Sequence, residues 1–181
     1  MSRGRFTLAV VALLALGLAL APAAGAKIKT DTFSSGPLGT PVGDNAAAAS
    51  RIALPKGKIK DVNVLVRLTH GVAADVDLSL LAPQGPPLVL STDNGGSGNN
   101  YGAGPNDCTG SFTVFDDVSP VSIVDGAAPF AGFFRPEHSL AALNGIEMKG
   151  PWWFLFADDA GGNSGVLGCW ELQVVYRAKK K

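Results

Sequence analysis

Over residues 59–69 the chain alternates. Val62, Val64, Val66 and Leu68 occupy every second position, polar residues fill most of the others, and Leu65 is the exception. A period of two turns successive side chains to opposite faces, so this stretch reads as a half-buried antiparallel strand. The pattern returns near the C-terminus, where Trp170, Leu172, Val174 and Tyr176 share one face. Shorter candidates are 51–54, ended by Pro55, then 76–82 and 88–92, joined by the Pro83-Gln84-Gly85-Pro86 turn. Residues 111–115, a segment near 130–134, and 152–157 complete about eight short strands. No helix of three turns is evident, 139–143 being the nearest approach, and 92–110 is a Gly/Asn loop poor in apolar side chains. Many short strands separated by glycine and proline predict an all-β, two-sheet sandwich.

The first 26 residues read as a secretory signal peptide. Arg3 and Arg5 form a positive start, 6–20 is an uncharged apolar core, and Ala24-Gly25-Ala26 offers a small-x-small cleavage site. The alternative is an uncleaved N-terminal anchor. Cleavage after Ala26 predicts a secreted protein, and no other stretch is long enough to span a bilayer. Removing Arg3 and Arg5 leaves 13 basic against 15 acidic residues, a mature net charge near −2. That balance excludes the basic footprint of a nucleic-acid binder. Two cysteines in an exported chain predict one disulfide, Cys108–Cys169, with two buried thiols as the alternative. Their spacing excludes a C-x-x-C site. Residues 27–49 read as a Gly/Pro/Ala-rich lead-in, 50–177 as the domain and 178–181 as a basic tail whose expected role is solubility.

His70 is followed by Asp75 and Asp77, then by an apolar run closed by Pro83-Gln84-Gly85. Further on, Gly150-Pro151-Trp152 leads through Asp158-Asp159 and Gly165 to Trp170-Glu171-Leu172, with Asp93-Asn94-Gly95-Gly96 and Phe115-Asp116-Asp117 between. In order and spacing these motifs resemble the P domain (P/Homo B domain) of proprotein convertases, in its bacterial branch. The resemblance covers nearly all of the mature chain and implies a jelly-roll β-sandwich. It also implies a partner, because such domains pack against a subtilisin-like catalytic domain and support its folding, stability or substrate handling.

Strand direction tells where the acids go. If 59–69 runs up and successive strands reverse, Asp75, Asp93 and Cys108 come to the top. A Cys108–Cys169 bridge then starts the last strand there, and the strand 152–157 delivers Asp158 and Asp159 to the same rim. Asp116 and Asp117 fall at the opposite end. Calcium takes six to eight oxygen ligands, and glycine-rich loops turn carbonyls inward at low cost. The expected calcium ligands are therefore Asp75, Asp77, Asp93, Asp158 and Asp159, with Asn94 and Asn163 secondary. The competing reading makes these acids Asx-turn and strand-end residues that bond their own backbone. No EF-hand spacing is present.

Catalytic machinery is not legible. A subtilase needs its Asp, His and Ser motifs, and His70-Gly71-Val72 is the nearest approach to one of them. Gly162-Asn163-Ser164-Gly165 resembles the nucleophile loop of chymotrypsin-like proteases, but that fold needs two barrels. The only other histidine, His138, lies in a loop, and two histidines without H-x-x-x-H make a poor zinc set. His70 is expected to be structural. Adjacent Trp152 and Trp153 must face opposite sides of their strand. Trp152 is expected in the core; Trp153 is expected outside, covered by a loop or open as a contact surface. The expected function is a non-catalytic module auxiliary to, or derived from, subtilisin-like serine proteases. The alternative is an adhesion or carbohydrate-binding module with a cell-surface protein or glycan partner, and a peptidase comes third. The oligomeric state is not legible.

Overall fold

A computed structural model describes residues 27–178. Residues 1–26, read above as a signal peptide, and the Lys179-Lys180-Lys181 tail lie outside the described residues. Ten strands form two sheets: β1 (Ile28–Ser34), β2 (Thr40–Val42), β3 (Ala47–Leu54), β4 (Gly57–His70), β5 (Val76–Leu81), β6 (Leu88–Ser91), β7 (Thr113–Phe115), β8 (Gly132–Phe134), β9 (Gly150–Asp158) and β10 (Gly165–Ala178). One sheet runs β1-β10-β4-β7-β8 with β2 also paired to β10, and the other runs β3-β9-β5-β6. Setting aside short β2 and β8, the remaining eight strands fall in the order 1-8-3-6 in one sheet and 2-7-4-5 in the other. Two interlocked Greek keys produce that order, and it is a jelly roll. No helix among the described residues is long and apolar enough to cross a membrane.

The alternating residues fill the space between the sheets. Val62, Val64, Val66 and Leu68 of β4, Leu172 and Val174 of β10, and Trp152, Phe154 and Phe156 of β9 are all buried. Phe154 stacks on Trp170 at a centroid distance of 5.4 Å. The buried indoles keep their N–H groups bonded, Trp152 to the Met148 carbonyl at 2.9 Å and Trp170 to Ser50 Oγ at 3.0 Å. An aromatic ring with a polar edge can be buried at low cost only when that edge is satisfied.

Three expectations need correction. Residues 27–49 are not a lead-in to the domain, because β1 pairs with β10 from Ile28↔Arg177 to Ser34↔Glu171 and serves as the first jelly-roll strand. Most of β1 is exposed, so it carries no alternation; apart from Phe33, which packs against the core, it contributes ladder hydrogen bonds. The strand expected at 51–54 starts at Ala47, the small-residue patch being its first half. Residues 139–143 make one 3-10 turn, Leu140–Leu143, rather than a helix.

The Gly/Asn loop also buries more than its composition suggests. Tyr101 is fully enclosed, its ring 5.0 Å from Phe130 and its hydroxyl 2.9 Å from Ser91 Oγ. Arg67, on the outward side of β4, is buried because the loop folds back over it. Its guanidinium donates to the carbonyls of Gly104 (2.7 Å), Pro105 (3.1 Å from Nε) and Ser111 (2.8 Å). Gly102 (φ +90°) permits that approach, since a Cβ there would stand 2.3 Å from Arg67 Nη1. Gly168 has the same role in β10, where a Cβ would meet the Asn106 carbonyl at 2.1 Å.

Candidate functional site

Strand directions place the site. β5 is antiparallel to β9, and β4 is antiparallel to both β10 and β7. The C-terminal ends of β4 and β9 and the start of β10 therefore share one rim. Most direction changes come from chain segments crossing between sheets; β5–β6 is a true hairpin. The reversal is the same either way, so the expected rim forms. Cys108 and Cys169 are bonded, with Cα atoms 5.3 Å apart, and Cys169 is buried beside the hydroxyls of Ser34 and Ser35.

The acids are gathered but not equivalent. Asp158 is buried, and its Oδ2 lies 3.0 Å from His70 Nε2. Its Oδ1 accepts the Ala160 N–H at 3.1 Å. The other ring nitrogen of His70 is 2.6 Å from the Val72 carbonyl. Asp75 Oδ2 accepts from the Asn163 side chain at 3.2 Å. Asp158 thus makes the local backbone bond of an Asx turn, whereas Asp75 is held by a distant side chain. Asn94 likewise spends its amide on Ser91 Oγ and Glu137 Oε1, at 3.0 and 2.7 Å.

Asp77 differs. Burial pushes its carboxyl above the usual carboxylate range, the charges of Asp159, Asp93 and Glu137 push it further, and a backbone N–H of Asp93 acts in the opposite sense. Its Oδ1 is buried with no hydrogen-bond partner. Among the described residues, none of these four acids has a lysine or arginine within salt-bridge distance. They do not close into a ligand shell as they stand. Among the described residues, the one group of three or more His, Cys, Asp or Glu ligand atoms within 4.8 Å of one another is Cys108, Cys169 and Glu171, and those sulfurs are in the disulfide.

Trp152 is in the core and Trp153 faces out, as expected for neighbours on a strand. What covers Trp153 is a side chain rather than a loop: the Arg51 guanidinium carbon lies 5.8 Å from its ring centroid. Ser164 lines a polar cleft of about 380 Å³ together with His70, Thr69 and Asn100. Both ring nitrogens of His70 are already engaged, so it offers Ser164 no free base.

Two participants escaped sequence reasoning. Glu137 comes from a distant loop, held beside β6 by its own N–H to the Leu90 carbonyl and by accepting from Thr92 N–H at 2.6 Å. Arg67 looked like an outward polar residue of an alternating strand, and only the covering loop reveals it as buried. No local signal marks either one.

No protein-family model and no curated protein matches the chain. Solved structures do. A chain in the complex of an Aeromonas sobria serine protease with a chaperone superimposes with a TM-score of 0.50 at 16% identity, over 84% of this chain and 28% of that one. The serine protease of Aeromonas sobria gives 0.48 at 15% identity, over 83% of this chain and 27% of that one. FlhE gives 0.44 at 13% identity, over 82% and 98%. The first likeness shows a shared fold, and this chain spans little more than a quarter of the length it matches there.

Proposed function

We propose that this chain is a secreted, non-catalytic module of the P/Homo B kind that acts as an auxiliary to a subtilisin-like serine protease. The observation that carries the reading is the jelly-roll strand order with His70 and Asp158, two residues of the resembling motifs, locked together at its rim. With one ring nitrogen on the Val72 carbonyl and the other on Asp158, His70 contacts no nucleophile, which suits a structural clasp better than a proton carrier. The fold shared with part of a chain from a serine protease–chaperone complex supports the same direction. A sugar-binding reading needs an open aromatic platform, and Arg51 lies over Trp153.

The test is capture of secreted proteins on the immobilised mature module, followed by labelling with a fluorophosphonate probe. A labelled serine hydrolase held by wild-type protein supports the auxiliary role. Labelling of the module itself, lost on Ser164→Ala, would make it an enzyme. Capture of no labelled hydrolase, from medium that demonstrably contains subtilase activity, would remove the protease connection.

A further inference from the structure

The outward face of the β3-β9-β5-β6 sheet carries a trough of about 500 Å³, within the size range of ligand clefts (roughly 300–1,000 Å³). Cross-strand register explains why it is there. Ala47, Ala157 and Asp77 form one outward row, and Ala49, Leu155 and Ser79 form the next. Four of those six side chains are alanine or serine, so the middle of the sheet face is hollow where larger residues would fill it. The third row, Arg51, Trp153 and Leu81, closes one end with bulk and positive charge. At the other end stands Asp77, with Asp93, Asp159 and Glu137 near enough to act on its charge.

The trough is thus an apolar channel with a potential gradient along it. Its negative end has no cation among the described residues, and one carboxylate oxygen there has no donor. Its positive end is four residues away along β3, about 13 Å at ordinary strand rise. A compact metal ion fits this poorly, because no three of these acids bring their oxygens within 4.8 Å of one another. A ligand with a long apolar stem and a terminal cation matches both features, since lysine and arginine bury their methylenes while directing charge elsewhere.

We infer that this trough docks a lysine or arginine side chain presented by an extended segment of a partner protein, the stem lying on Ala47, Ala49 and Ala157 and the cation meeting Asp77. This goes beyond the protease-auxiliary reading and does not depend on it.

The experiment is a fluorescence-anisotropy titration of the secreted mature protein, with chelator present throughout. The probes are short acetylated peptides of alanine and glycine carrying one central lysine, one arginine, or one norleucine, which keeps the stem and removes the charge. The lysine and arginine peptides should bind at least about tenfold more tightly than the norleucine peptide, and more weakly as salt is raised. Asp77→Asn, which removes the charge, and Ala49→Phe, which fills the trough, should each cost about tenfold, with melting curves showing that both variants fold. Equal binding of the norleucine peptide, or full binding by Ala49→Phe, would overturn the proposal. So would calcium binding to the chelator-free protein by calorimetry with no binding of any peptide, which would assign the acids to a metal ion.

Discussion

His70 and Asp158 form a buried pair that ties the two sheets together: Nε2 at the end of β4 lies 3.0 Å from Oδ2 at the end of β9, and neither side chain is exposed. Removing one member of a buried pair leaves the other charged or polar group without compensation, which typically costs about 3–5 kcal/mol. Asp158→Asn should show a loss of that order in urea unfolding, although it can keep the bond to the Ala160 N–H. The double variant His70→Phe with Asp158→Leu should recover most of it, because matched apolar residues remove the desolvation cost of both groups. A double variant no better than the single ones would mean that the pair does more than clasp the sheets.

Arg67 makes a separate prediction about the long loop. Arg67→Met keeps the stem but takes the guanidinium donor from the carbonyls of Gly104 and Pro105, while the Ser111 carbonyl keeps the Ala103 N–H at 2.9 Å. A hydrogen bond from a charged donor contributes about 1.5–3 kcal/mol. Amides between Gly95 and Ser111 should exchange faster and the melting temperature should fall, while Arg177→Met on the exposed face of β10 should change neither.

These two residues also mark where the sequence stops being informative. The β4 alternation announced the strand and its inward face, and direction reversal alone brought the acids to one rim. Neither pattern says which acid meets which partner. Asp158 and His70 are 88 residues apart, and Glu137 reaches the rim through a loop without periodicity. β1 was invisible for the opposite reason, since an edge strand with mostly exposed side chains leaves no apolar record.

The disulfide closes a loop with a sequence separation of 61 residues. Chain entropy alone then gives a stabilisation of about 4 kcal/mol. Cys108→Ser with Cys169→Ser should lower the urea midpoint accordingly. Because both sulfurs are in the bond, a thiol reagent should find no free sulfur in the folded wild type and should find two after denaturation with reductant.

Tyr176 sets an alkaline limit. Its hydroxyl donates to Asp31 Oδ2 at 2.5 Å, linking β10 to β1. That bond, and then burial, push the phenol up to about 12. Its pKa in the unfolded chain is about 10, so between those values the native state holds the proton more tightly. The contribution is therefore fully present below about pH 10 and lost as pH rises through the folded value. Tyr176→Phe should be less stable near neutrality and should show a flatter decline above pH 10. Parallel declines for both proteins would show that the Asp31 bond contributes nothing to stability.

Asp77 runs the other way. Its carboxyl is held above the usual range by burial and by Asp159, Asp93 and Glu137, so the native state binds its proton more readily than the unfolded chain does. The raised value means that ionised Asp77 works against folding at neutral pH, and that this penalty disappears as pH falls through the native pKa. Asp77→Asn imitates the protonated form. It should melt at a higher temperature than wild type at pH 7, and the difference should shrink toward zero in mildly acidic buffer. The same substitution should weaken binding of the lysine peptide about tenfold, so stability and binding would change in opposite directions at one residue. That is the signature of a charge kept for a ligand rather than for the fold. A variant less stable than wild type at pH 7 would show that internal partners outweigh the burial and repulsion at this carboxylate, and the trough would lose its reason to attract a cation.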